Sequence, residues 1–472
     1  MQVQRAVIAA IEFQPGVPLV QQIVDQLSVA INQGGLPHGS RLPPIRELSD
    51  LMNVGKSTVV DALDRLRAKG LVVSRQGSGH FVHRSSAMPK LDAGPDLLPQ
   101  DTLSVVRRAV LQDNGALRPG AGFLPSSWLP ADELLKAVRG TLRDASLRMG
   151  EYGVAAGYPP LREALRVKLT AIGIEVPVEQ IVTTANTVQA IDMLMRLLIK
   201  PGDTVLLDDP CYFTMHTNLA LHGAKVVTVH RGVEGMDLEA FERTVIAHRP
   251  VLYMTNNSLH NPTGHSFSPA QVYRLLELSH RYGFHIVEDD LYCDLQQRGT
   301  PRLAAGGLDN VSYVSGFSKT LTANSRVSYA VLAPPLAARM IGLKMAAGGM
   351  TSELAEQIVC NMLSDGSYAK HTRRTVDRLY DSSNRVTRWL EEAGCSVSSL
   401  PHEGLFIWTR LPDGYHAETL ARKGLEIDLV LAPGTLLSKA PDAGQHLRFN
   451  VAHSDSSQVR ERFFRLLDKP QK

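Results

Sequence analysis

Lys319 and Arg326 stand seven residues apart in the segment SGFSKTLTANSR, Ser315 to Arg326, just after an apolar run that begins at Val311. A lysine held in such a loop can form a Schiff base with an aldehyde cofactor, and a nearby guanidinium can hold that cofactor's phosphate. A Ser-Lys pair alone carries little weight, because most lysines are solvated surface groups. Its company matters more. Asn261-Pro262-Thr263-Gly264 reads as a turn, and IVEDDLY, Ile286 to Tyr292, ends an apolar run on the carboxylates Asp289 and Asp290.

Positioning such groups takes a large scaffold, and 472 residues allow two or three domains with a sizeable core. Beyond Gly122 the runs IVTT, TVLLD, AKVVTV, VLYMT, HIVED, VSYVSG and SYAVL alternate with helical stretches, which predicts a mainly parallel sheet covered by helices. After about Thr351 a helical stretch leads to FIWTRL and LRFNVA, a smaller α+β lobe. Cys211, Cys293, Cys360 and Cys395 form no CxxC pair, which argues against a zinc site or disulfide framework and for a reducing compartment. No apolar run approaches the ~18 residues that span a bilayer. The N-terminus lacks a charged segment followed by a long apolar core. A cytoplasmic protein with no membrane partner is expected.

The first ~85 residues read differently from an enzyme and match the pattern of a DNA-binding module. Val20, Ile23, Val24, Leu27 and Ile31 predict one amphipathic helix, and Ile45, Leu48, Leu51 and Met52 a second. After the tight turn Asn53-Val54-Gly55, a third runs from about Lys56 to Lys69, burying Val59, Leu63 and Leu66, and Gly70 stops it. LVVS and HFVH flank Gln76-Gly77-Ser78-Gly79 as a hairpin. From Arg41 to Arg84 eight Lys/Arg face four Asp/Glu, a local +4 within a chain of net charge +3. That excess suits a surface that meets phosphates.

PLVQQIVDQL, GGLPHGSRLPPIRELSDLMNVGKSTVVDALDRLRAKGLV and RQGSGHFV resemble the GntR family of bacterial regulators along the whole module. The resemblance implies a winged helix-turn-helix, mainly α with a β-hairpin wing, whose third helix enters the major groove of double-stranded operator DNA. It implies DNA contacts by Arg46, Lys56, Ser57, Thr58, Arg75, Gln76 and Gly77. Pro44-Ile45 stands where the family has a small polar pair, and Gly55-Lys56 where it often has Ser-Arg. Lysine cannot copy arginine's fork on guanine.

From roughly Ala121 to the C-terminus the ordered motifs resemble the fold-type I, class I aminotransferases that use pyridoxal 5'-phosphate, with a large parallel-sheet domain and a small α+β lobe. Together with the N-terminal module, the chain resembles the MocR subfamily of GntR regulators. The expected domains are 1–84 for DNA binding, 85–117 as a linker with a helix near 102–112, and 118–472 for the cofactor, the small lobe starting about 350. The resemblance makes Lys319 the covalent holder of the cofactor. It places Asp289 under the pyridine nitrogen, Asp290 being the neighbouring alternative, since Asp289 has the D-x-x-Y spacing to Tyr292. Tyr292 and Asn261 would bond the ring oxygen, and Tyr212, two residues after Pro210, would stack on the ring. Arg326 and the helix start Asn186-Thr187-Val188 would hold the phosphate. Tyr152, in EYGVAAGYPPLREAL, would reach a neighbouring subunit's cofactor, implying a homodimer. Arg448, in LRFN, would clamp the carboxylate of an amino acid or related ligand.

Two departures bear on the phosphate. Asn186 stands where the family has glycine, and asparagine tolerates a left-handed backbone better than most residues. Gly316 stands where the family has a phosphate-binding serine, with Ser315 beside it, so one phosphate bond is lost or moved. The expected function is a transcription regulator that senses an amino acid, or the cofactor itself, through pyridoxal phosphate. The alternative is an active aminotransferase carrying a DNA-binding domain.

Overall fold

Apolar residues at helical spacing build the first unit. Helix α2 (Leu19–Asn32) buries Ile23, Val24, Leu27 and Ile31 against Leu48 and Met52 of α3 (Ile45–Met52) and Val59, Leu63 and Leu66 of α4 (Lys56–Ala68). Asn53 ends α3 with φ 51°, a left-handed value that asparagine adopts at low cost. The wing pairs β1 (Val72–Arg75) antiparallel to β2 (Gly79–Val82), Arg75 opposite Gly79. The sequence reading missed α1 (Gln2–Ala9), which drives Ile8 fully into this core. A helix of eight residues offers too little periodicity to read.

The computed structural model describes residues 2–83, apart from 10, 12, 33, 34, 76 and 77, and residues 115–468, apart from 145–149, 233, 234, 298 and 398–402. Gln76, Gly77 and nearly all of the expected linker, its short helix included, lie outside the described residues. Met1–Asp96 and Leu97–Lys472 are separate compact units.

In the second unit the described residues form an eight-stranded sheet of order β3-β10-β9-β8-β7-β4-β5-β6. Its strands are β3 (Ile181–Thr184), β4 (Thr204–Asp209), β5 (Lys225–Gly232), β6 (Gly235–Met236), β7 (Leu252–Thr255), β8 (His285–Asp289), β9 (Val311–Gly316) and β10 (Ser328–Val331). Strands β5, β4, β7, β8 and β9 run parallel. The sheet is thus mainly parallel, with antiparallel pairings of β10 to β9 and β3, and of β6 to β5. No crossover helix lies between β9 and β10, so the short link returns the chain in the opposite sense. Apolar layers cover both faces. On one face α5 (Thr187–Leu198) packs Ile191, Leu194 and Met195 over Val182, Val314 and Ala330.

A four-stranded sheet of order β11-β12-β14-β13 forms the smaller lobe: β11 (Ser396–Val397), β12 (Phe406–Arg410), β13 (Ala432–Pro433) and β14 (His446–Asn450). Residues 117–120 run along it, Leu117 exchanging backbone bonds with Asp428 and Val430 at 2.9 and 2.8 Å, and Asn450 N–H reaching Pro119 O at 2.6 Å. This early segment therefore belongs structurally to the last lobe of the chain.

Because Ile8 fills space in the winged-helix core, Ile8→Ala should destabilise that unit by about 2–5 kcal/mol. Denaturant unfolding of the full chain, followed by a probe in residues 19–82, should show the loss in the first unit's transition alone.

Candidate functional site

Parallel strands collect their outgoing loops at one edge of a sheet. Tyr212 follows β4, Asn261 follows β7, Asp289 ends β8 and Lys319 follows β9. The N-terminus of α5, after β3, and the start of β10 lie at the same edge, because β3 and β9 both run antiparallel to β10.

Strand β8 separates three neighbouring carboxylates by its two-residue alternation. Glu288 and Asp290 are buried on one side. Glu288 accepts from Asn257 Nδ2 at 2.7 Å and from the amides of Leu303 and Ala304 at 2.9 Å. Asp290 accepts from Arg302 Nε at 2.7 Å, from the Tyr313 hydroxyl at 3.0 Å and from the Ser258 hydroxyl. Asp290 is thus fully engaged by protein groups. Asp289 shares its surroundings with Lys319; its side chain accepts from the Leu291 amide at 3.1 Å, and its carbonyl oxygen accepts from Asn256 Nδ2 at 2.7 Å. Burial pushes the Asp289 carboxyl up to about 7; the Leu291 N–H opposes this, Asp290 adds to it and Lys319 opposes it.

Lys319 Nζ donates to Gly122 O at 2.7 Å. A Cβ on Gly122 would sit 3.8 Å from that Nζ and 4.0 Å from Arg448 Nη2, so glycine keeps the space between the two cations open. Burial lowers Lys319 to about 8, the Arg448 charge acts in the same direction, and Asp289 opposes. Arg448, on β14, donates from Nη1 to Asn261 Oδ1 at 2.8 Å and from Nη2 to Gly120 O at 2.7 Å. Its guanidinium lies 4.4 Å over the Phe406 ring. Arg448 Nε is buried and has no partner among the described residues.

The remaining residues surround this centre. Asn261 N–H reaches Asn256 Oδ1 at 2.9 Å, so Asn256 ties the Asn261 turn to the Asp289 strand end. Tyr292 is buried, packs edge-on to Phe406 with ring centroids 5.5 Å apart, and has Asn261 as a hydrogen-bonding neighbour. Burial raises the Tyr212 hydroxyl above its ordinary value, Arg448 lowering and Asp289 raising it further, which places Tyr212 within reach of both charges. Asn186 caps α5, accepting from the Gln189 amide at 2.9 Å. Its φ of −171° is extended, so this position makes no left-handed demand. Thr187 is buried and Val188 half-buried at the same turn. Arg326 is exposed with φ 49°, and Tyr152 is 92% exposed. Ser315 turns away, donating to Asp290 O at 3.0 Å.

Gly122, Asn256 and Ser328 escaped the sequence reading. Small or neutral residues outside any motif give no chemical signal until the fold brings them to charged groups.

In the first unit, Arg46, Lys56 and Ser57 are exposed and Thr58 is half-buried. Gly55 precedes α4 without a side-chain cap, leaving the first amides of that helix open to an anion. Arg75 is exposed, its guanidinium 4.8 Å over Phe81. Sequence reasoning passed over Arg41. It is exposed, bridges to Phe81 at the wing, and would stand 3.3 Å from a Cβ at Gly79.

A winged helix with an open helix N-terminus, and a sheet-edge lysine near a half-buried carboxyl and a buried guanidinium, define the class: a DNA-binding domain joined to a fold-type I transferase domain. The gntR family of bacterial regulatory proteins matches residues 19–82, and the family described as aminotransferase class I and II matches residues 126–465. The chain belongs to the class I and II aminotransferase family and carries a gntR-family domain ahead of it, as in transcription regulators of the MocR type. It is similar to the HTH-type transcriptional regulator YdfD of Bacillus subtilis strain 168, 26% identical over 465 residues and 95% of each chain. It is similar to the probable rhizopine catabolism regulatory protein MocR of Rhizobium meliloti, 29% identical over 78% of this chain and 76% of that one. Among solved structures it is similar to LysN, the α-aminoadipate aminotransferase of Thermus thermophilus, complexed with N-(5'-phosphopyridoxyl)-L-leucine. That match has 27% identity and a TM-score of 0.69, covering 77% of this chain and 94% of LysN. Class I family membership implies pyridoxal phosphate dependence, and the gntR domain implies DNA binding. No helix among the described residues is long and apolar enough to cross a membrane.

A carboxyl raised from 3.8 to about 7 costs folding stability once ionised. The cost is absent below the unfolded value, grows as pH rises from about 4 to about 7, and is constant above. Cofactor-free Asp289→Asn should therefore melt higher than the parent at pH 8, and the gap should close towards pH 4 in parallel thermal scans.

Proposed function

We propose that this chain regulates transcription by binding operator DNA through its winged helix and holding pyridoxal phosphate on Lys319, where an amino acid, or the cofactor itself, is sensed. The observation that carries the reading is the grouping of half-buried Lys319 and Asp289 with buried Arg448. These residues fit the cofactor: an amine lowered to about 8 suits an aldehyde, and a carboxyl raised to about 7 suits a ring nitrogen. Pyridoxal phosphate, when bound, supplies that aldehyde and an electron-withdrawing ring.

Each residue has a task in this reading. Asp289 holds a proton at the pyridine nitrogen, since a carboxyl near 7 shares one readily. Tyr292 and Asn261 orient the ring oxygen, and Tyr212 covers the ring face. The amides of Thr187 and Val188, with Asn186 as cap and Arg326 beside them, bind the phosphate. Arg448 receives the ligand's carboxylate on the edge that includes its unpartnered Nε. Tyr152, almost fully exposed in the single chain, reaches the site of a second copy in a homodimer. In the winged helix, Arg46 and Arg75 hold the DNA backbone, with Gln76 and Gly77 in the wing, while Lys56, Ser57 and Thr58 meet the major groove.

A second reading, an active aminotransferase with a DNA-binding domain, draws on the same Arg448 edge and on a lysine able to move a proton near neutral pH. An absorption spectrum of the cofactor-loaded protein, recorded while amino acids are added, separates the two. A spectral shift without keto acid release means a sensor. Accumulating keto acid means an enzyme.

Borohydride reduction of the loaded protein followed by peptide mass analysis should find the cofactor adduct on Lys319. Arg448→Ala should keep that adduct and lose the spectral response to amino acids. An adduct on another lysine, or an unchanged response, would contradict these roles.

For the winged helix, Arg46→Ala should weaken binding about equally across DNA sequences and lower the salt slope by about one. Lys56→Ala should also change sequence preference. Fluorescence-anisotropy titrations at several salt concentrations measure both. An amino acid that changes DNA affinity by some factor must have its own affinity changed by DNA by the same factor.

A further inference from the structure

Ser328 opens β10 and faces two ladder partners, Gly316 on β9 and Thr184 on β3. Directly opposed residues share one face of a sheet. Two residues further on, Ala330, Val314 and Val182 lie on that face beneath α5. The row of Gly316, Ser328 and Thr184 is therefore the last one under the start of this helix. The Thr184 hydroxyl donates to Asn186 O at 3.2 Å, which ties the row to the helix cap.

Ser328 is fully buried, and its Oγ has no hydrogen-bond partner among the described residues. A buried hydroxyl without a partner is unfavourable until some group accepts its proton. Its position is unusual in a second way. It occupies the place where a Cβ on Gly316 would stand, well inside contact distance. Gly316 has no left-handed backbone to explain its type, so the space taken by Ser328 explains it instead. A hydroxyl with an unused proton thus stands at the N-terminus of a twelve-residue helix, whose open amides and dipole favour an anion.

We propose that Ser328 Oγ donates to the phosphate of the bound cofactor, filling at this sheet edge the place that a side chain at position 316 would otherwise take. The proposal rests on the cofactor reading above. Loss of one bond to a charged acceptor corresponds to a roughly tenfold or larger loss of affinity. Spectroscopic titration of the cofactor-free full chain with pyridoxal phosphate, and with pyridoxal, which lacks the phosphate, tests it.

Ser328→Ala should weaken pyridoxal phosphate at least tenfold and leave pyridoxal within about twofold. The exchanged pair Gly316→Ser with Ser328→Gly returns a hydroxyl to the same space from the neighbouring strand, and should restore most of the phosphate-dependent affinity. Cofactor-free Ser328→Ala should melt no lower than the parent, because the lost hydroxyl had no partner. Equal affinity of parent and Ser328→Ala for pyridoxal phosphate, or equal weakening for both ligands, would overturn the proposal. A parent chain that binds pyridoxal phosphate nowhere would overturn the cofactor reading itself, and this proposal with it.

Discussion

A guanidinium taken out of water must be given acceptors, or its burial costs several kcal/mol. Arg448, 7% exposed, obtains them from Asn261 Oδ1 and Gly120 O, with the Phe406 ring beneath it. Those partners come from the turn after β7 and from the segment that runs along the small lobe. One buried cation therefore fixes the relation of three stretches far apart in the chain. It also sets the chemistry beside it. Its field, added to burial, leaves Lys319 near 8, where an unpaired surface lysine would stay protonated far above neutrality. Gly122, bonded to Lys319 and lacking a Cβ, leaves the gap between the two cations unfilled.

Buried charge on the other side of the sheet edge is handled by saturation. Asp290 meets Arg302, Tyr313 and Ser258, and Glu288 meets Asn257 and two amides. Asp208 is similarly bound by Arg231, Tyr253 and Thr255, with Arg231 stacked 3.7 Å from the centre of Phe267. These networks hold the loops after β4, β7 and β8 in place. Asp289 differs because its carboxylate accepts only a single protein N–H among the described contacts. The strand alternation thus turns neighbouring acids into one group available to a ligand and two committed to the frame.

The first unit applies the reverse principle. Its core is apolar, and its charged and donor groups are left outside. Gly55 gives α4 no side chain to cap its first amides, so that exposed helix end stays open to water or to an anion. Arg41, laid along the wing against Gly79, extends the same exposed surface.

The sequence by itself determined the two-part composition of the chain. Periodicity wrote α2, α3 and α4, turn residues wrote the wing, and the Lys319, Asp289 and Asn261 motifs lay in one order that few folds share. Short or featureless stretches stayed illegible: α1 is only eight residues long, and residues 117–120 carry no hint that they join the last sheet. Only the tertiary structure showed that Arg302, Tyr313 and Ser258 engage Asp290 and not Asp289, because alternation along a strand assigns faces but does not say which face holds Arg302. It showed Asn186 to be extended, and it placed antiparallel pairings at β10 and β6 within the mainly parallel sheet. It alone brought Ser328 across the ladder to Gly316. Local sequence records helix periods, turn chemistry and side-chain types; which distant groups share a desolvated space is set by strand pairing, and that is where charges acquire their partners.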